Sequence, residues 1–191
     1  VAFAVKERDI LNGVTFDILK GSRTVLLGEN GCGKTTLLRL ISRLEKPTRG
    51  VILQNIDDKF GQKSKQSKKW YKKVGVVYQN PDYQLFMQTV EKEIKFGAKS
   101  DEYADEIAEK FGIKHLYARH PQSLSEGQKR RVSIAAVVAT DPEVLILDEP
   151  TVGQDYKGLC EMVEVLNKLH EEAHNTMITV THDKRCAAAL C

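Results

Sequence analysis

The sequence predicts an α/β fold with a mainly parallel sheet. Short apolar runs alternate with helical patterns along the 191 residues, and one of these runs leads through a glycine-rich turn into a helix. The apolar share of 41% and the charged share of 29% are those of an ordinary folded domain. The length suits one globular domain, with room for a subdomain.

Each element follows from its local pattern. Alternating or continuous apolar residues bounded by turn residues predict strands at 14–18, 24–27, 51–53, 74–78, 144–147 and 177–180. Helical spacing predicts helices at 37–44, 89–111, 125–139 and 158–172, with 101–110 clearly amphipathic. Since 79–139 lacks strong strands, it is expected to be a helical insert.

Charge and composition give no sign of a membrane-spanning protein or of a dominant charged partner. A net charge of +3 demands neither nucleic acid nor an anionic membrane as a partner, and no apolar run approaches the roughly 20 residues of a membrane span. The four cysteines form no C-x-x-C pair, which favours a reducing compartment. The segment 59–73 carries seven lysines around Trp70 and Tyr71. It fits either a nucleic-acid surface or a solvated loop between strands, and we favour the loop.

Residues 28–35 fit G-x-x-x-x-G-K-[ST], the Walker A pattern for binding phosphate. Glycines allow a tight turn whose N–H groups point at phosphate oxygens, and the following helix adds its positive end. Lys34 is expected to reach the β- and γ-phosphates, Thr35 to bind Mg²⁺, and Thr36 to bind near the α-phosphate. The predicted nucleotide-binding residues are Gly28, Glu29, Asn30, Gly31, Cys32, Gly33, Lys34, Thr35 and Thr36.

Two acids follow the buried run 144–147. A buried strand delivers carboxylates only at its end, so Asp148 is expected to hold Mg²⁺, through water, and Glu149 to act as general base for an attacking water. The alternative is a helix cap or a surface pair of acids.

Residues 124–128 read Leu-Ser-Glu-Gly-Gln and predict a capped helix start. Ser125 is the expected N-cap, with Gln128 completing a capping box, and Gly127 leaves room for an anion. This run resembles the signature of the ABC (ATP-binding-cassette) family. That resemblance implies that Ser125, Gly127 and Gln128 cover the γ-phosphate bound by a second ATPase subunit, so that ATP lies between two chains.

Further matches follow in the order of the family. Gln79 resembles the Q-loop glutamine, which senses Mg²⁺ and the attacking water. Residues 151–155 resemble the D-loop, and His182 resembles the switch histidine, which contacts the γ-phosphate. Phe3 occupies the position of an aromatic ring that stacks on adenine. The implied catalytic set is Glu149, His182, Gln79 and Lys34, and the implied metal ligands are Thr35, Gln79 and Asp148.

The resemblance also implies an architecture. It is a P-loop NTPase fold with a RecA-like core, an antiparallel N-terminal sheet portion and a helical subdomain. Residues 1–79 and 140–191 are expected to form the core. Residues 80–139 are expected to form the subdomain that carries the signature. Family members continue beyond the switch histidine, so a trimmed C-terminal part is expected here.

The run 78–86 and the basic triplet 129–131 resemble the ATPases of energy-coupling-factor and cobalt-type importers. The resemblance implies an ATPase peripheral to the cytoplasmic face of the membrane, with a transmembrane subunit contacting the region after Gln79 and a vitamin or metal ion as cargo. Glu126, Gln154 and Cys32 depart from the residues usual in the family. These departures suggest one subunit of an asymmetric pair.

Three other functions are alternatives to a transporter ATPase. A non-transport ABC ATPase acting on nucleic acid or ribosomes is supported only by the basic segment 59–73. A nucleotide-binding regulator without turnover is disfavoured by the presence of Glu149 and His182. A P-loop kinase would leave the signature-like run unexplained.

Overall fold

A computed structural model describes residues 2–5, 8–53 and 70–190. Its strands are β1 (Phe3–Val5), β2 (Arg8–Leu11), β3 (Arg23–Leu27), β4 (Val74–Val77), β5 (Val144–Asp148) and β6 (Thr176–Thr181). Its helices are α1 (Lys34–Ile41), α2 (Val90–Lys95), α3 (Asp101–Lys110), α4 (Glu126–Val138), α5 (Tyr156–Ala173) and α6 (Lys184–Leu190).

The main sheet has four parallel strands in the order β3-β6-β5-β4. The predicted α/β fold with a parallel sheet is therefore confirmed. Since parallel strands share one direction, their carboxyl ends meet at one edge, the usual place for ligands in open α/β sheets. The register brings Leu27 beside Thr181 and Asp148 beside Val180 at that edge.

A two-stranded antiparallel ribbon precedes this sheet, with Phe3 opposite Leu11. It is the antiparallel N-terminal portion that the resemblance implied, but its strands differ from two that the sequence predicts. Residues 14–18 and 51–53 form no strand, so those two predictions are wrong. Apolar alternation does not by itself specify a strand, because a strand also depends on its neighbours in the sheet. An isolated bridge joins Ala2 to Arg49, just before 51–53.

The helix expected over 89–111 is divided into α2 and α3. Phe96 ends α2 in an extended conformation, Gly97 follows with a φ of 76°, and the Ser100 hydroxyl caps α3 by accepting from the Tyr103 N–H. Between 79 and 139 the structure has only α-helices and short 3-10 turns, as predicted. The division of the chain into a core and a helical subdomain stays a prediction.

Two apolar clusters fill the interior. The larger joins β5 to helices α2 to α5, and β5 and β6 are buried along their whole length. The smaller contains Trp70, Ile146 and Val180. Trp70 lies in this cluster with the Arg43 guanidinium 5.8 Å from its ring, so its indole is not available to stack on nucleic-acid bases. Most of the lysine-rich segment, residues 59–69, lies outside the described residues.

Across the described ranges, no helix combines the length and apolarity that crossing a bilayer requires.

Candidate nucleotide-binding site

The candidate site lies where four strands end. The glycine-rich loop follows β3, Gln79 follows β4, Glu149 follows β5, and His182 follows β6. Sequence motifs separated by more than a hundred residues therefore come to one edge because the strands that carry them are neighbours in the sheet.

The glycine-rich loop requires glycine at its end. Gly33 is the N-cap of α1 and has a φ of 95°, in the left-handed region that residues with a Cβ rarely adopt. A Cβ at Gly33 would stand 2.9 Å from Leu11 Cδ2, so β2 packs directly beneath the loop. No side chain caps this helix. Its first N–H groups therefore face an anion site without a competing side-chain oxygen.

Lys34 reaches back across the same loop. Its ammonium donates to the carbonyls of Gly28 and Glu29, at 2.7 and 2.8 Å. Asn30, Gly31 and Cys32 are exposed on the loop. The positive charge is thus held at the centre of the turn, where the sequence predicts that the β- and γ-phosphates bind.

Thr35 joins this loop to the strand-end acids. Its hydroxyl donates to Asp148 Oδ2 at 2.9 Å, across 113 residues of sequence. Asp148 is 3% exposed, and its Oδ1 has no hydrogen-bond partner. Burial raises the pKa of this carboxyl, with Thr35 acting in the opposite direction.

This oxygen pair fits a divalent cation. A buried, unpartnered carboxylate oxygen beside a hydroxyl offers the hard ligands that Mg²⁺ prefers, and a cation would offset the cost of burying the charge. Within the described ranges, no three His, Cys, Asp or Glu side chains form a metal cluster. The fit therefore depends on this one carboxylate and the hydroxyl beside it.

Glu149 and His182 form the second pair at this edge. Glu149 Oε1 lies 2.8 Å from His182 Nδ1, and Oε2 accepts from the Thr181 hydroxyl at 3.1 Å. Glu149 has a φ of 52°, an uncommon conformation for a residue with a side chain. Its N–H nevertheless donates to the Val180 carbonyl, which continues the link between β5 and β6. The backbone turn thus points a buried carboxylate at the histidine.

Gln79 and Phe3 occupy less constrained positions. The Gln79 side chain is exposed, and its main-chain carbonyl accepts from the Arg130 guanidinium. Phe3 is half-buried on β1, opposite Leu11, whose side chain lies beneath Gly33. Both residues are thus near the edge, and their roles toward a nucleotide stay predictions.

The signature-like run forms the helix start that its pattern predicts. The Ser125 hydroxyl accepts from the Gln128 N–H at 3.3 Å, and the Gln128 amide oxygen accepts from the Ser125 N–H at 3.1 Å. This reciprocal pair is a complete capping box, so that prediction is confirmed.

Sequence reasoning missed the contacts that hold this turn. Gln154 donates through its side chain to the Gly127 carbonyl at 3.1 Å, and a Cβ on Gly127 would stand 3.3 Å from that amide. Gln154 and Glu126 are two of the residues that depart from the family pattern. Glu126 lies in the signature-like run and Gln154 in the run 151–155 that resembles the D-loop. The sequence shows both positions, but only the fold shows that the two runs are in contact.

Comparison with known proteins agrees with this geometry. Residues 11–152 match the ABC transporter family. The energy-coupling factor transporter ATP-binding protein EcfA2 of Enterococcus faecalis (strain ATCC 700802 / V583) is 44% identical, over 92% of this chain and 64% of its own length. The chain therefore spans just under two thirds of that relative.

Solved structures give the same result. The structure of cbiO1 from Clostridium perfringens, part of the ABC transporter complex cbiONQ, has a TM-score of 0.83 at 34% identity and covers all of this chain and 79% of its own. The dimeric, post-hydrolysis ATP-binding cassette MJ0796 bound to ADP and Pi has a TM-score of 0.81 at 27% identity, with coverage of 98% and 87%. The motif match, the parallel sheet and these likenesses agree: the chain belongs to the ABC transporter family.

Proposed function

We propose that this chain is the ATP-binding and ATP-hydrolysing subunit of an ABC importer. In this proposal it pairs with a second ATPase subunit around two ATP molecules and drives uptake of a vitamin or metal ion by a membrane partner. The observation that carries it is the 2.9 Å contact between Thr35 and Asp148, which joins the phosphate loop to the strand-end acids. The relatives above are transporter ATPases, which supports transport and gives no support to a nucleic-acid or ribosomal role.

ATP binding is assigned to the glycine-rich loop. The N–H groups of residues 28–36 surround the phosphates, and Lys34 exchanges its two carbonyl partners for phosphate oxygens of higher charge. Phe3 stacks on the adenine. When Mg²⁺ is bound, Thr35, Asp148 and Gln79 hold it, and it neutralises charge on the phosphate oxygens.

Hydrolysis is assigned to the pair of Glu149 and His182. Glu149 accepts a proton from the water whose oxygen bonds to the γ-phosphorus, while the bond from that phosphorus to the β-bridging oxygen breaks and ADP leaves. His182 holds the Glu149 carboxylate by its 2.8 Å contact and presents its other ring nitrogen toward the γ-phosphate. Gln79 orients the attacking water.

A second subunit completes each site. Ser125, Gly127 and Gln128 of one chain cover the γ-phosphate bound by the other, since a helix start favours an anion. This arrangement is supported by the dimeric cassette among the structural relatives.

The membrane partner is assigned to the surface after Gln79. A groove of about 710 Å³ lies there, lined in part by Leu85, Phe86 and Phe96. Phe86 and Phe96 are exposed and stack edge-to-face at 5.3 Å. Exposed aromatic rings around a mostly apolar groove fit an apolar helix of a transmembrane subunit, with the ATPase peripheral to the cytoplasmic face.

The test uses the protein expressed with its ATPase partner and membrane subunits. Glu149→Gln should lower steady-state hydrolysis by about 100-fold or more while ATP stays bound. On sizing chromatography, the Glu149→Gln ATPase subunits should form a dimer that persists in Mg·ATP. Lys34→Ala is the control that should lose ATP binding. A Lys34→Ala complex that hydrolyses ATP at the normal rate would refute the proposal.

A further inference from the structure

Helix α4 holds the segment that carries Gln79. The Arg130 guanidinium donates one N–H to the Tyr78 carbonyl at 2.9 Å and another to the Gln79 carbonyl. A guanidinium is planar, with donors in a fixed fork, so two consecutive carbonyls bound to one fork are fixed in direction as well as in distance. The link joins residues more than 50 positions apart in sequence.

The preceding residue makes a second link to the same segment. The Lys129 ammonium donates to Asp82 Oδ1 at 2.9 Å and lies 3.5 Å from Glu126 Oε1. Residues 78–82 are therefore bound at both ends by consecutive residues of α4. We call these contacts of Lys129 and Arg130 the α4 anchor.

Burying the charged guanidinium of Arg130 costs free energy that an apolar side chain at this position would not. Arg130 is 3% exposed, its Nε has no hydrogen-bond partner, and burial lowers its pKa. No carboxylate is paired with its guanidinium among the described residues, although Glu126, Asp148 and Glu149 favour its charge from farther away. An apolar side chain of similar length would fill this space without burying a charge. The two carbonyl contacts are therefore what explains a buried guanidinium at this position.

The position of these carbonyls connects two functional regions. Arg130 lies on the helix that Ser125 caps and whose first turn contains Gly127; both residues are assigned to a partner's nucleotide. Gln79 is assigned to the nucleotide bound by its own chain. The α4 anchor thus binds the segment that carries Gln79 to the helix whose start is assigned to the other ATP.

We propose that Arg130 is a positioning residue for ATP hydrolysis, which fixes the main chain of Gln79 relative to the signature turn of the same chain. This inference rests on the proposed function. When a partner's nucleotide binds the signature turn and moves it, the α4 anchor moves Gln79 as well. Closure around one ATP therefore also positions the glutamine at the other ATP. Arg130 itself touches neither nucleotide nor water.

The test compares Arg130→Met with Arg131→Met in the assembled transporter. Both variants remove a guanidinium from α4, but Arg131 is paired with Glu161 on α5 at 2.6 Å and makes no hydrogen bond or ion pair with 78–82. We expect Arg130→Met to lower kcat for ATP by about 10-fold or more, because small misplacements of a positioning group are costly. Arg131→Met should keep the wild-type kcat.

Two further readouts separate positioning from loss of structure. Binding of a fluorescent ATP analogue without Mg²⁺ should be unchanged in Arg130→Met, since the Lys34 loop is intact. The Mg²⁺ concentration that half-saturates hydrolysis should rise, because Gln79 is an assigned ligand. Arg130→Lys keeps the charge but loses the forked pair of donors, so its kcat and its half-saturating Mg²⁺ concentration should lie between those of wild type and Arg130→Met.

If Arg130→Met does not fold, Arg130→Lys and Asp82→Asn decide. Asp82→Asn removes the Lys129 partner at a half-exposed position and should lower kcat by about twofold without changing analogue binding. Wild-type kcat and Mg²⁺ dependence in the folded anchor variants would overturn the inference, provided that Lys34→Ala abolishes hydrolysis. A wild-type complex with no Lys34-dependent hydrolysis would instead defeat the proposed function, and the inference with it.

Discussion

The two helix starts assigned to phosphate in this chain are built in opposite ways. At α1 the N-cap is Gly33, in a left-handed conformation and without a capping side chain. At α4 the N-cap is Ser125, and a complete capping box already satisfies the N–H groups of Ser125 and Gln128. The α1 start leaves its donors for a ligand, whereas the α4 start is stable by itself. The difference supports the proposal that one chain binds ATP through α1 and presents α4 as a preformed surface to its partner.

The largest expected effect follows from adding a side chain at the open start. Gly33→Ala places a Cβ 2.9 Å from Leu11 Cδ2 at a φ of 95° and should weaken ATP binding by about 10- to 100-fold. Gly13→Ala is the matched control, because Gly13 also has positive φ, 67°, but has open space around it. Fluorescent-analogue titration of both variants tests this; equal affinities would show that the loop tolerates a Cβ.

A smaller effect is expected at the capped start. Ser125→Ala removes the cap and should lower the free energy of unfolding by about 1 kcal/mol. It should leave ATP binding by the single chain unchanged but weaken the ATP-dependent dimer. Ser100→Ala, which removes the cap of α3, should cost similar stability and leave the dimer intact. Thermal unfolding and sizing chromatography measure the two quantities. A dimer weakened equally in both variants would contradict the comparison.

The smallest effect concerns the buried charge beside α1. Since burial raises the pKa of Asp148 above its ordinary value of 3.8, the carboxyl favours folding when protonated, and that stability is lost as pH rises through the folded pKa. Without Mg²⁺ or nucleotide, Asp148→Asn should therefore be more stable than wild type at pH 7, by about 0.5–1 kcal/mol. The difference should shrink toward pH 4.

Asp105→Asn provides a control of opposite sign. The Tyr117 hydroxyl lowers the pKa of Asp105, so this carboxylate stabilises the fold at neutral pH and the contribution is lost on acidification. Asp105→Asn should therefore be less stable than wild type at pH 7. Melting curves from pH 4 to 7 measure both variants, and an Asp148→Asn protein less stable than wild type at pH 7 would refute the account of the buried charge.

The sequence predicts local features of this chain and misses features that join distant segments. The capping box of Ser125 and Gln128, the glycine-rich loop and the acids after β5 are local patterns, so the sequence alone predicts them. The strands expected at 14–18 and 51–53 failed because a strand depends on a neighbour that local alternation does not specify. The α4 anchor and the contact of Gln154 with Gly127 join distant segments, and no local spacing encodes them.

Trp70 gives the molecule a built-in optical probe. It is the chain's single tryptophan and is buried in the smaller apolar cluster. Arg43, which lies over its ring, is two residues beyond the end of α1. Its fluorescence therefore arises from one known environment at the far end of the helix that is assigned to hold the phosphates. Shifts in emission on adding nucleotide would report movement of α1 without any attached dye.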